Sequence, residues 1–129
     1  MSVYQSCWRM LVWLTDKQRG DEMTSKTLIV LFNLREGVVE ADYEKWAHET
    51  DLPIASSLKS VDEFKVYRSE GLFGSDGKPP YRYVEVLHIS SMEDLPADIA
   101  AEPRMVEIAK QFQAFADNPT FMVTENFAG

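Results

Sequence analysis

The chain has 129 residues, a formal net charge of −8 and an apolar content of 45%. This length predicts one domain with a packed core. The acidity disfavours nucleic acid and anionic membrane surfaces as partners, because both need basic patches. Cys7 is the single cysteine, so an internal disulfide is excluded and a reducing cytoplasm is favoured.

Residues 1–22 differ in character from the rest of the chain. Asp16 to Glu22 reads as a charged linker, and a strong strand pattern follows Met23. We therefore expect a leader over 1–22 and one domain over 23–129. The alternative is that the leader packs on the domain as a helix. No apolar run reaches the roughly 20 residues that a membrane helix needs.

The hydrophobic pattern predicts four strands, at residues 27–34, 62–69, 81–90 and 120–127. A helix over 39–50 follows the first strand. Pro53 ends it and can also open a second short turn over 53–58. A capping box at Ser90–Glu93 starts a short helix, and a longer one begins at Pro103 and stops at Asn118-Pro119. The order β-α-β-β-α-β predicts an α+β, ferredoxin-like antiparallel sheet with both helices on one face.

The spacing of apolar residues predicts which faces are buried. On the first helix one face carries Tyr43, Trp46, Ala47 and Thr50, and the long helix has a stripe of Val106, Ala109, Phe112 and Phe115. The long loop over 71–80 has two apolar residues, Leu72 and Phe73, that can close over a ligand.

The face of the sheet away from the helices is unusually apolar, because the first and third strands carry apolar residues on both sides. A second copy laid against it would cover it. We therefore expect a homodimer in which two sheets enclose a barrel-like space, a dimeric α+β barrel.

Short motifs resemble a known family. The helix end Trp46-Ala47-His48-Glu49-Thr50-Asp51-Leu52-Pro53, followed by the strand Phe64-x-Val66-Tyr67-Arg68, resembles the RedY-like (HapK) family. The strand Val84–Ile89 with the helix start Ser90–Leu95 resembles the wider EthD-like branch. The likeness covers residues 23–129. It implies a homodimer, an aromatic-lined cavity in each subunit, no cofactor, and a step on a reactive pyrrole or indole intermediate of prodiginine-type secondary metabolism.

His48 is the first candidate for a catalytic residue, because an imidazole titrates near neutral pH. Glu44 one turn before it and Asp51 after it are placed to tune it. Against this role, the helical wheel puts His48 towards solvent unless the helix turns at its end.

Glu85 is the second catalytic candidate. It shares a strand face with Tyr83, and a carboxylate on an aromatic face is desolvated, which raises its pKa and suits acid–base work. The alternative is a structural ion pair with Arg68 or Arg82. His88 lies on the opposite face of the same strand, as a substrate contact or a hydrogen-bonded core histidine.

Further substrate-binding candidates come from residue type. Asn33, Tyr67 and Tyr83 offer hydrogen bonds to a carbonyl or pyrrole N–H, and Arg68 offers a charge for a carboxylate or carbonyl. The aromatic face adds Tyr43 and Trp46. No metal site is predicted, because nothing in the spacing brings ligands together.

Three functions remain open from the sequence. The first is a cofactor-free enzyme that moves protons on an aromatic carbonyl or imine in a condensation or cyclisation. The second is a protein that only binds and delivers such a small aromatic ligand. The third is a cofactor-independent monooxygenase.

Overall fold

The computed structural model describes residues 25–129, so the expected leader over 1–22 and the domain start near Met23 lie outside the described residues. The helices and strands are β1 (Lys26–Leu34), α1 (Glu40–Trp46), a π-helical turn (Ala47–Asp51), α2 (Leu52–Ser56), β2 (Val61–Arg68), β3 (Tyr83–Ile89), α3 (Leu95–Ala100), α4 (Arg104–Phe115) and β4 (Ala116–Thr124). Within residues 25–129, no helix has the length and apolarity needed to span a membrane.

The four strands form one antiparallel sheet in the order β2-β3-β1-β4. Val30 in the central strand β1 is opposite Glu85 of β3 on one side and Phe121 of β4 on the other. This order and the helices that cover one face confirm the predicted α+β, ferredoxin-like fold.

The core lies between the sheet and the helices. Phe32, Tyr43 and Tyr83 are fully buried and pack with Phe112, with ring centroids 4.8–5.6 Å apart. A second, largely aliphatic cluster around Ile89 occupies the other end of the same layer. The aromatic cluster fixes α1 and α4 on the sheet, because edge-to-face ring pairs add to the burial of apolar area.

The prediction that Asn118-Pro119 stops the last helix is wrong. Helix α4 ends at Phe115, and β4 begins directly at Ala116. Asn118 has φ +48°, and the pairing with β1 shifts register at this point. A bulge in an edge strand accommodates a proline, because that strand has one side without ladder hydrogen bonds.

The predicted stripe on the long helix holds for Ala109, Phe112 and Phe115, and Ile108 replaces Val106 as its buried residue in the first half of the helix. Ile108 and Phe112 are buried, whereas Val106 is 41% exposed.

The loop over 71–80 is not placed to close over the cavity between the helices and the sheet. It follows β2 at Arg68, opposite Tyr83, whereas the cavity lies towards the Ile89 end of β3.

The other face of the sheet is open to solvent within the single chain. Ile29 of β1 is opposite Val86 on one side and Met122 on the other, and Leu31 is opposite Val84. Met122 is 38% exposed, although it is apolar. The structure therefore has the apolar open face that the sequence predicts.

Candidate functional site

A cavity of about 340 Å³ lies between the helices and the sheet. Its volume falls within the roughly 300–1,000 Å³ of small-molecule sites. Apolar side chains of β1, β2, β3, α2 and α4 form most of its wall. Three lining residues near the α3–α4 connection, Ala100, Pro103 and Val106, are exposed, so the cavity reaches the surface there.

Two buried carboxyls, Asp51 and Glu85, line this apolar cavity, and each is 6% exposed. Burial raises the pKa of Asp51 to about 7. Burial and then the negative charge of Asp51 raise the pKa of Glu85 well above its usual range. Glu85 Oε2 has no hydrogen-bond partner among residues 25–129. The pair therefore retains protons at pH values where ordinary carboxyls are fully ionised.

Asp51 faces the cavity because the helix widens into a π turn before Pro53. The Leu52 N–H donates to the Ala47 carbonyl, five residues back. Pro53 has no N–H, and in a regular α-helix its ring would clash with the carbonyl four residues back. The wide turn relieves this clash. It also keeps Tyr43, Ala47, Asp51 and Ala55, four residues apart, on one buried side.

The prediction that Pro53 ends the first helix is wrong, since the helix continues through the π turn into α2. The predicted second short turn is confirmed, since α2 spans Leu52–Ser56 with Pro53 in its first turn. In an unbroken α-helix, at about 100° per residue, each step of four residues drifts by about 40°, and the wide turn reduces the drift that would accumulate from Tyr43 to Asp51 and Ala55. Such widened turns are frequent at functional sites.

Glu85 faces the same cavity because side chains alternate along β3. Tyr83, Glu85 and Ile89 all point towards the helices and are buried. The alternative of an ion pair between Glu85 and an arginine is wrong. Arg68 binds Glu44, with its Nη1 2.6 and 2.8 Å from the two carboxylate oxygens, and Arg82 binds Glu40 at 2.7 Å.

His48 does not line this cavity. It is exposed and borders a second pocket of about 220 Å³. In that pocket Glu44 accepts hydrogen bonds from Arg68 and from the Tyr83 hydroxyl, the latter at 2.7 Å. These bonds lower the pKa of Glu44. The two predicted catalytic residues, His48 and Glu85, thus lie at different pockets, and Asp51 belongs with Glu85.

The predicted aromatic contacts mostly build the core. Tyr43 is fully buried against Tyr83 and Phe115, and the Trp46 indole N–H donates to Gln111 at 2.6 Å. The Tyr43 hydroxyl has no hydrogen-bond partner within the described residues, and burial together with Glu85 and Asp51 raises its pKa. The large cavity has Phe64, Phe112 and Phe121 as its aromatic members, and the rest of its wall is mainly aliphatic.

Three further candidates lie away from the cavity. Asn33 is exposed and holds the loop before β3, donating to Pro80 O at 3.0 Å and accepting from the Arg82 N–H at 2.9 Å. Tyr67 is 52% exposed. His88 is on the opposite face of β3 from Glu85, with Nδ1 3.2 Å from the Thr27 hydroxyl. None of the three reaches the buried carboxyls.

From its sequence position, Asp51 is expected only as a group that orients or tunes His48. The signal for it in the sequence is a spacing of four residues through Tyr43, Ala47, Asp51 and Ala55, because residues i and i+4 lie on the same side of a helix. Over residues 25–129 no group of three or more His, Cys, Asp or Glu is arranged to hold a metal ion.

Comparison with known proteins identifies the family. The profile of the family described as REDY-like protein HapK matches residues 26–127. The crystal structure of HapK from Hahella chejuensis is similar at 23% identity, with a TM-score of 0.61 over 81% of this chain and 95% of that one. No curated protein matches the sequence.

Two more distant structures share the fold. An EthD-like protein from Ralstonia eutropha has 14% identity and a TM-score of 0.64, over 82% of this chain and 95% of its own. A structure from Thermobifida fusca, described as a dimeric ferredoxin-like protein of unknown function, has 11% identity and a TM-score of 0.62, over 81% and 93%. These likenesses show the fold, and the profile match over most of the sequence shows that the chain belongs to the REDY-like HapK family.

Proposed function

We propose that the protein is a cofactor-free enzyme that binds a small aromatic carbonyl or imine in the cavity between helices and sheet. Asp51 and Glu85 move protons on that ligand. The single observation that carries the proposal is two buried carboxyls in one apolar cavity. The family supports a pyrrole or indole intermediate of prodiginine-type pigment synthesis as substrate, and a chain with one cysteine suits the cytoplasm.

The carboxyl pair suits acid–base catalysis because burial raises the pKa values of both members. The pKa of Asp51 is raised to about 7, and that of Glu85 is raised further by the charge of Asp51. One carboxyl can then donate a proton while the other accepts one, and a catalytic pKa near the operating pH is the most efficient. The apolar wall excludes the water that would quench a reactive intermediate.

A condensation between an aldehyde and a heteroaromatic ring fits this pair. A ring carbon bonds to the aldehyde carbon, which becomes a methine bridge. The aldehyde oxygen leaves as water with two hydrogens, one from the attacked ring carbon and one from the ring nitrogen. The protonated carboxyl supplies a proton to the oxygen, and the ionised carboxyl removes the ring proton. The step needs no oxidant or reductant.

Single-turnover mass spectrometry tests this function. Excess protein is mixed with a bipyrrole aldehyde and a monopyrrole, against a sample without protein. We expect the condensed product, detected by its mass, to form at least tenfold faster with the protein than without it. Unchanged ligands that co-elute with the protein would make it a carrier, and oxygen consumption would make it a monooxygenase. Either result would overturn the proposed reaction.

We also propose that a second copy of the chain covers the open face of the sheet. This face carries Ile29, Leu31, Val84 and Val86, and contiguous apolar area of this kind is normally buried by a partner. The Thermobifida fusca structure with this fold is described as dimeric. A symmetric dimer needs one self-complementary surface, which a flat sheet face provides.

Replacing Val86 by Lys should convert the dimer into a monomer, because it places a charge at the centre of the proposed interface. Sedimentation velocity at about 10 µM measures the change. The matched control is Val39→Lys, at a residue 57% exposed at the start of α1 on the helix layer, which should leave the dimer intact. A wild-type protein that sediments as a monomer would refute the proposed assembly.

A further inference from the structure

The charged groups of the cavity are all acidic. Asp51, Glu85 and Glu102 are its only polar side chains among the described residues, and no Lys, Arg or His lines it. Glu102 is compensated at the mouth by Arg104, whose Nη2 is 2.6 Å from its carboxylate. The acidic groups of the interior that have no cationic partner in the cavity wall are therefore Asp51 and Glu85.

Glu85 presents an unused hydrogen-bond acceptor to the cavity. Its Oε2 is buried without a partner within residues 25–129. A buried carboxylate left unpaired is costly, so the structure favours a ligand that brings a donor to it. The neighbouring Asp51 adds a second acceptor, and two like charges in an apolar wall repel each other unless a proton or a cation lies near them.

These features determine which charge the cavity favours in a ligand. A ligand carboxylate or phosphate placed here would face two carboxyls and no compensating cation. A neutral body fills the apolar wall but brings no charge that stabilises an ionised carboxyl there. A cationic nitrogen donates N–H bonds to both carboxyls and offsets their charge, and such charge-assisted bonds are the stronger class.

We propose that the ligand of this cavity carries a protonated nitrogen, as an ammonium, amidinium or protonated imine on an apolar aromatic body, and that this nitrogen lies between Asp51 and Glu85. The inference rests on the proposed function in that it uses the same cavity. In the proposed condensation this nitrogen belongs to the imine-type species that forms when the ring nitrogen loses its hydrogen, and not to the neutral aldehyde. The same pair of carboxyls also makes the site selective against aromatic acids of the same size.

Three ligands with one skeleton test the selectivity: 3-(aminomethyl)indole as the cation, 3-methylindole as the neutral form and indole-3-carboxylate as the anion. Isothermal titration at pH 8 measures each dissociation constant. We expect the cation to bind at least tenfold tighter than the neutral ligand, and the anion at least tenfold more weakly than the neutral one. In the double variant Asp51→Asn, Glu85→Gln the preference for the cation should disappear.

A second readout needs no variant. At pH 6.5, titration of the cation into the wild-type protein in buffers of different ionisation enthalpy should show proton release, because the cation replaces a proton held by the pair. Neutral and cationic ligands that bind equally well, without proton release, would overturn this inference and leave the proposed function standing. Failure of all three ligands to bind at millimolar concentration would overturn both.

Discussion

The wild-type protein should lose stability as the pH rises from 5.5 to 8.5, Asp51→Asn should remove part of that loss, and the double variant Asp51→Asn, Glu85→Gln should remove most of it. The folded state holds the Asp51 carboxyl in an apolar wall, where its charged form is disfavoured. The unfolded chain exposes the same carboxyl to water. Ionisation therefore favours unfolding, and an amide of the same shape does not ionise.

The direction and size of the stability change follow from the pKa of Asp51 in the folded state and its ordinary pKa. The pKa of Asp51 is about 7 in the folded state and 3.8 as its ordinary value. Below about pH 4 both states hold the proton, so the stability contributed by the protonated group is complete. It is lost progressively as the pH rises through 7, and the full difference corresponds to about 4 kcal/mol. Glu85 acts in the same direction.

Other carboxyls do not mask the expected loss of stability between pH 5.5 and 8.5. Glu44 and Glu102 have lowered pKa values because of Arg68 and Arg104, so their stabilising charge is lost only in more acidic solution. Denaturant unfolding at several pH values measures the free energy. The control is Glu107→Gln, at an exposed carboxyl of α4, which should keep the wild-type slope. A wild-type stability that stays flat or rises up to pH 8.5 would contradict a buried ionisable pair.

The fold could be predicted from the sequence because each strand and helix is marked by a local, periodic pattern of apolar residues. The run from Thr27 to Leu34 is apolar on both faces, and the residues around Glu85 alternate strictly. Both patterns indicate strands without any knowledge of partners. Turn residues then give the order of elements, and few topologies satisfy that order. Alternation also placed Glu85 on the same strand face as Tyr83, but it left open which face lies towards the helices.

The site was harder to predict because it depends on a departure from regular geometry. The helical wheel is valid only while each residue advances by the same angle, and the π turn breaks that rule between Ala47 and Asp51. The wheel therefore missed Asp51. Its prediction for His48, a solvent-facing position, agrees with the exposed side chain in the structure.

The placement of the arginines also depended on tertiary structure. Arg68 and Arg82 are close to Glu85 in the sheet, and the sequence allowed either to pair with it. In the structure both point to α1, where Glu44 and Glu40 bind them. Glu85 is left without a cation as a result, so no positive charge offsets the burial and the charge of Asp51 that raise its pKa.

Glu85→Gln should lower the single-turnover rate of condensation by about 10²- to 10⁴-fold, the usual contribution of a positioned acid or base. An amide cannot accept or release the proton in this step. Asp51→Asn should have an effect of the same order, and the double variant should be little worse than either single one, because the two carboxyls act as a unit. Product formation under protein excess, followed by mass spectrometry, measures the rate.

His48→Ala provides the decisive control for this assignment, because the two predicted catalytic residues lie at different pockets. His48 borders the smaller pocket with Glu44 and Arg68 and does not line the cavity with Glu85. We therefore expect the condensation rate of the His48→Ala variant to stay within about threefold of wild type, a smaller change than the loss of a positioned acid or base causes. A loss of 10²-fold or more in His48→Ala, with Glu85→Gln unaffected, would move the reaction to the smaller pocket and refute the role of the buried carboxyl pair.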